Sequence, residues 1–359
     1  MTSLLQGLKA DGPRLSSLAP GAAMPGGEVE LRGSGLLGAG KDVLPRVTVG
    51  DIPVYLGLTR PGRAVIRIPE GMISGEVVVD RGGTSSNGLE LQVAVPMAEN
   101  LHPVANPAVD AEGNVYATVS GARGQSVPVS IFSIARDFQV RPFVRELLNA
   151  TGLAFDREGH LYASSRAEGT VYRISPEGAV STYAEGMGIA TGIAFDAEGN
   201  LYVGDRSGTI FKVGRDRGPG ESSGPLADRE IFVYATLEPS IAAYHLAFND
   251  EGVLFVTGPT TSSNQAVWAI DRDGRTSVYY QGLGRAQGMA FDVDGNLYVA
   301  ASLHGERGIV RITPEREASV VASGNNLVGL AFLEDGCAAL ATRDALYHVA
   351  LDIEGRPLV

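Results

Sequence analysis

One short pattern recurs six times along this chain of 359 residues. TGLAFDREGHLYA at 151–163 returns as TGIAFDAEGNLYV at 191–203 and as QGMAFDVDGNLYV at 287–299. Looser copies are NPAVDAEGNVYA at 106–117, HLAFNDEGVLFV at 245–256 and VGLAFLEDGCAAL at 328–340. The shared apolar position falls on Val109, Phe155, Phe195, Phe248, Phe291 and Phe332, at spacings of 46, 40, 53, 43 and 41 residues. A period of roughly 40–50 residues with four strand-like runs per copy predicts a β-propeller, and six copies predict six blades.

The third copy shows the four runs: TGIAFD (191–196), LYVGD (201–205), GTIFKVG (208–214) and EIFVYATL (230–237). The Gly/Pro/Ser-rich stretch RDRGPGESSGPLAD (215–228) reads as a solvated insertion and accounts for the longest spacing. Ala154, Ala194, Ala247, Ala290 and Ala331 are small, as inner strands converging on an axis require. Tyr116, Tyr162, Tyr202, Phe255 and Tyr298 place a large ring on the second strand, where it would fill the wedge between neighbouring blades. The sixth copy has Ala339 there instead. The D-x-[DE]-G turns use Gly for a positive φ and Asp to bond the turn backbone. The outer strand of the last copy is left open between GRPLV (355–359) and the region of LELQVAV (89–95).

Residues 1–12 read as a flexible leader. From 13 to 95 short alternating runs follow: EVELRGSGL (28–36), VTVGDIPVYLGL (47–58), RAVIRIP (63–69), GEVVVDRGG (75–83) and LELQVAV (89–95). These predict an all-β sandwich, joined by a proline-punctuated linker at 96–103 to the repeats at 104–359. SSLAPGAAMPGGEVELRGSGL (16–36), VTVGDIPV (47–54) and IPEGMISGEVVVDRGGTSSNGLELQV (68–93) resemble the IPT/TIG immunoglobulin-like family. That resemblance implies an interaction or spacer module. The glycines at 26–27 and 33–35 are turn glycines, since no G-K-[ST] follows them.

The formal net charge of −12 opposes binding to nucleic acid or anionic lipid, both polyanions. Cys337 is the single cysteine, which excludes an intrachain disulfide and a cysteine metal cluster. No signal peptide and no apolar stretch of the roughly 18–20 residues of a membrane helix is read, so the default expectation is a soluble, cytoplasmic chain.

GIAFDAEGNLYVGDRSGTIFKV and GMAFDVDGNLYVAASLHGERGIVRI resemble NHL repeats and the strands of the gluconolactonase / senescence-marker-protein / luciferin-regenerating family. The resemblance implies a six-bladed propeller and, in lactonases, a divalent cation (Ca, Mg or Zn) held on the axis by Glu, Asn and Asp. Two of those ligands precede the repeat glycine, and a carboxylate–amide set suits a hard cation that polarises a lactone. Here the positions before the glycine slot carry Ala105, Thr151, Thr191, Tyr244, Gln287 and Val328, none of them Asp, Glu or Asn. The nearest metal-ligand candidates are Asn106, Asp205 and His245.

Arg166, Arg206 and Arg343 stand at matching second-strand ends. In a propeller these ends open on the same face as the start of the inner strand. The predicted ligand-binding mouth therefore collects Thr151, Arg166, Thr191, Asp205, Arg206, Tyr244, His245, Gln287, His304 and Arg343, and its guanidinium groups suit a small anion or an acidic peptide. The competing reading pairs the arginines with Glu168, Asp205 and Asp344. The acidic turns on the opposite face have the spacing of β-turns, not of a calcium loop. The expectation is a non-catalytic recognition protein for a small-molecule, peptide or protein ligand, with a divergent metal-dependent lactone hydrolase as the alternative. No catalytic residue and no oligomeric state can be named.

Overall fold

The computed structural model describes residues 12–37, 44–122, 124–214, 230–262 and 264–356. The leader up to residue 11, the insertion at 215–228 and the tail at 357–359 lie outside the described residues. Among the described residues every regular element is a β-strand. The chain divides into two compact units, residues 1–95 with 321–324 and residues 96–320 with 325–359.

In the first unit one antiparallel sheet runs in the order Arg14–Ala19, Glu28–Ser34, Arg63–Arg67 and Tyr55–Arg60. A second contains Ala22–Ala23, Leu89–Val93, Gly75–Arg81, Arg46–Val49 and Ile52–Pro53 in that order. Alternation explains the faces: in EVELRGS, Val29 and Leu31 are buried while Glu28 and Arg32 are exposed. Val29, Leu31 and Ile66 from the first sheet share one apolar core with Val47, Val77, Val79 and Leu91 from the second. The run at 47–58 is divided more finely than the sequence suggests. Gly50, at φ 54°, turns the chain, and Tyr55–Arg60 pairs with Arg63–Arg67 in the first sheet.

The second unit is a succession of four-strand antiparallel meanders, one for each repeat copy. The first comprises Ala108–Val109, Val115–Thr118, Ile131–Ile134 and Val140–Val144. The second is Ala150–Phe155, Leu161–Ser165, Thr170–Ile174 and Val180–Ala184, and the third is Ala190–Phe195, Leu201–Asp205, Thr209–Val213 and Ile231–Thr236. The fourth and fifth copies follow the same order but lie in one longer sheet, because Leu283 and Gly284 pair with Leu303 and Ser302. In the last meander Leu327–Phe332, Cys337–Thr342 and Ala345–Ala350 are completed by Val95–Glu99. GRPLV does not supply that strand; Gly355 makes only an isolated bridge to Asp292.

Two repeated contacts join neighbouring meanders. The ring on each second strand meets edge-on the Phe of the next inner strand: Tyr116 with Phe155, Tyr162 with Phe195, Tyr202 with Phe248, Phe255 with Phe291 and Tyr298 with Phe332. Their centroids lie 4.8–5.2 Å apart, an arrangement in which ring edge and ring face attract. The inner strands also approach closely at the repeat glycine. A Cβ on Gly152 would lie 2.3 Å from the Thr191 carbonyl oxygen, and one on Gly192 would lie 2.2 Å from that of Tyr244. Those positions exclude any side chain.

The turn acids are consumed by the fold. Asp196 accepts from Glu198 N and Asn200 N through Oδ1, and from Asn200 Nδ2 and Tyr202 Oη through Oδ2. Asp110, Asp156 and Asp292 likewise accept from Tyr116, Tyr162 and Tyr298. Burial, reinforced by the adjacent carboxylate, raises these phenols well above their ordinary range.

Candidate functional site

The second unit holds a cavity of about 280 Å³ where its inner strands begin. Six of the ten predicted mouth residues line it: Thr151, Arg166, Thr191, Arg206, Gln287 and Arg343. The inner strands carry register shifts at this level, between Ala150 and Leu153 and between Ala190 and Ile193, so Thr151 and Thr191 sit outside regular alternation. Second-strand ends bring in Arg166, Arg206 and Arg343. His102 and Arg285 also line the cavity, and sequence spacing did not single them out.

Hydrogen bonding separates the floor of this cavity from its rim. Thr151 Oγ1 donates to Asn149 O at 3.0 Å. Thr191 Oγ1 donates to Gly204 O at 2.8 Å and accepts from Tyr244 N at 3.1 Å. Gln287 Nε2 donates to Leu327 O at 2.8 Å. All three are buried and tie one inner strand to its surroundings, so they shape the floor and offer few free donors. Of the lining arginines, Arg166 and Arg206 are partly buried while Arg285 and Arg343 are exposed. Arg206 donates through Nη2 to Ile241 O at 3.0 Å, and Arg166 donates to Gly121 O at 2.8 Å. Arg285 and Arg343 are exposed and make neither hydrogen bond nor ion pair among the described residues.

Two of the three acids proposed as partners for these arginines make other hydrogen bonds. Asp205 accepts from Ile189 N at 2.8 Å and from the Ser207 hydroxyl. Glu168 accepts from Tyr172 Oη at 2.7 Å. No Asp or Glu occurs among the described residues lining the cavity.

The other predicted mouth residues are not among those lining it. Tyr244 is buried and donates its hydroxyl to Glu238 O, and burial pushes the phenol up to about 12. His304 occupies an exposed two-residue hairpin turn with Gly305, at φ 52°. Asp205 is buried beneath the turn that follows it. His245 is also buried, with Nε2 lacking a hydrogen-bond partner among the described residues. It lines a different cavity of about 1630 Å³, bounded by the inner strands and the acidic turns.

Asn106 lines that larger cavity too, but both ends of its amide are used. Nδ2 donates to Met289 O at 2.7 Å and Oδ1 accepts from Leu330 N at 3.2 Å. Asn106, Asp205 and His245 therefore do not form a ligand set for a cation. No group of three or more His, Cys, Asp or Glu side chains suited to a metal occurs among the described residues. The residues present do not fit the axial cation that the lactonase resemblance implies.

The fold is that of β-propeller proteins, to which solved structures are similar over most of their length. A putative gluconolactonase superposes with a TM-score of 0.55 at 16% identity, covering 74% of this chain and 93% of its own. An auxiliary nutrient binding protein from Bacteroides thetaiotaomicron gives a TM-score of 0.53 at 10% identity, covering 94% of this chain and 97% of its own. A catalytically inactive virginiamycin B lyase from Staphylococcus aureus with quinupristin gives 0.50 at 13% identity, covering 90% and 99%. Identities this low establish the fold alone. No protein-family model and no curated protein matches the chain.

Proposed function

We propose that this protein is a non-catalytic recognition protein: an IPT/TIG-type immunoglobulin-like sandwich and a six-bladed NHL-type propeller, the latter binding a small or extended ligand at its mouth. The observation that carries this reading is the cavity of about 280 Å³ whose floor is fixed by Thr151, Thr191 and Gln287 while its rim presents arginines. A rigid floor under rim donors is the arrangement a preformed binding site needs. One structural neighbour is an auxiliary nutrient binding protein, which is compatible with it. The alternative, a divergent lactone hydrolase, draws on the likeness to a putative gluconolactonase but lacks an assembled ligand set, because Asn106 and Asp205 are already bonded.

A thermal-shift screen of neutral, cationic and anionic small molecules and short peptides tests the reading. A hit whose affinity falls at least about tenfold in an Arg206→Ala/Arg343→Ala variant supports the mouth, tenfold being roughly 1.4 kcal/mol. A hit bound equally by both proteins overturns it. Turnover of a lactone with added Ca²⁺, Mg²⁺ or Zn²⁺ would favour the hydrolase.

A further inference from the structure

Arg285 stands in a backbone conformation that an arginine ordinarily avoids. It lies three residues before the repeat glycine Gly288, at φ 52°. The corresponding residues of two other copies are Asn149 before Gly152, at φ 48°, and Asn326 before Gly329, at φ 60°. Asparagine tolerates the left-handed region because its short side chain bonds locally, whereas a long side chain is disfavoured there. Asn149 shows the local role: its amide accepts from Gly124 N and donates to Gly121 O and Ala122 O. Arg285 makes no such bond among the described residues. The turn is held from outside instead, by Ala286 N donating to Gln265 Oε1 at 2.9 Å. The left-handed turn at 285 is therefore filled by a residue whose long side chain the turn itself does not use, which leaves that side chain available to the cavity it lines.

Arg285 lines the mouth cavity with Arg166, Arg206 and Arg343. Arg206, Arg285 and Arg343 alone bring three like charges to a space of about 280 Å³ with no lining carboxylate among the described residues, and like charges disfavour one another. This occurs in a chain whose formal net charge is −12, so the local sign runs against the global one. A bound anion would relieve the repulsion and accept paired, charge-assisted hydrogen bonds from the planar forks.

Resting on the mouth as the binding site, we propose that its ligand is a small multivalent anion, a polycarboxylate or a phosphate, and that Arg285 is a dedicated recognition residue. Calorimetric titration of the full chain with citrate and with inorganic phosphate, in low and in moderate salt, tests this. Binding of either probe is expected, weakening as salt rises, and the stronger of the two distinguishes carboxylate from phosphate recognition. Arg285→Asn is expected to weaken binding about tenfold or more while leaving Tm unchanged or raised, because asparagine suits the left-handed turn. Arg343→Gln, at an exposed position, is expected to weaken binding as well.

Failure of both probes to bind the unaltered protein at millimolar concentration overturns the anion assignment. The mouth would still stand if a neutral ligand from the wider screen depended on Arg206 and Arg343. Undiminished binding by Arg285→Asn, or a loss of affinity accompanied by a loss of Tm, overturns the role given to Arg285.

Discussion

Asn106 Oδ1 accepts a hydrogen bond from the backbone N–H of Leu330 at 3.2 Å, across 224 residues of sequence. The same amide donates to Met289 O at 2.7 Å, so one side chain in the first repeat copy braces the inner strands of the fifth and the sixth. Room for it comes from two glycines: a Cβ on Gly288 would lie 1.9 Å from Asn106 Oδ1, and one on Gly329 would lie 2.6 Å away. The first and sixth copies lack the aromatic pair found between the others, with Val109 and Ala339 in its place within a shared apolar cluster.

Replacing this brace should weaken the second unit measurably. Asn106→Ala leaves Leu330 N and Met289 O without their partner, which costs about 1–3 kcal/mol for each buried group left unsatisfied. The expected outcome is a fall in Tm of several degrees, roughly 2–4 °C per kcal/mol for a unit of this size. Asn106→Asp keeps an acceptor for Leu330 N but sets a carboxylate against Met289 O, and should be at least as destabilising. Thermal unfolding of both variants measures this, and an unchanged Tm would contradict the bracing role.

The ring of Tyr202 and its hydroxyl make separable contributions. The ring packs on Phe248 with centroids 4.9 Å apart, while the hydroxyl donates to Asp196 Oδ2 at 3.1 Å. The fourth copy shows which part is dispensable: Phe255 replaces the tyrosine and Asn249 the aspartate, yet Phe255 still packs on Phe291. Tyr202→Phe should therefore cost about 0.5–1.5 kcal/mol, and Tyr202→Ala about 3–5 kcal/mol. Urea unfolding distinguishes them, and equal losses would assign the contribution to the hydroxyl.

The repeat was legible because each of its residues answers a local demand. Glycine permits close approach, Asp closes a turn, and an aromatic ring fills a gap whose period is the copy length. The arginines of the candidate mouth were legible for the same reason, since Arg166, Arg206 and Arg343 occupy one column of the repeat. Arg285 and His102 were not, because neither shares that column and only the fold brings their segments to the cavity. Tyr244 and His245 hold the repeat positions of Thr191 and Gly192 but do not line the cavity. The irregular register around Thr151 and Thr191 is absent from His245–Phe248, which pairs regularly from its first residue. The outer strand of the last meander was ambiguous because Val95–Glu99 is distant in sequence from its partner, Ala345–Ala350.

His245 makes acid stability a test of its burial. It is 3% exposed, and loss of hydration pushes its imidazole down to about 3. In the unfolded chain a histidine titrates near 6.5. Above that pH the ring is neutral in both states and contributes no slope. As pH falls through about 6.5 the unfolded chain takes up a proton that the folded chain refuses, so stability is lost progressively down to about 3. His245→Gln cannot take up that proton. The fall in Tm between pH 7 and pH 4 should therefore be smaller in the variant by about a few degrees, whatever the variant's stability at pH 7. Other titrating groups are common to both proteins and cancel in the comparison. Parallel Tm–pH curves would show that His245 is protonated in the folded state and that the large cavity beside it is wetter than its lining implies.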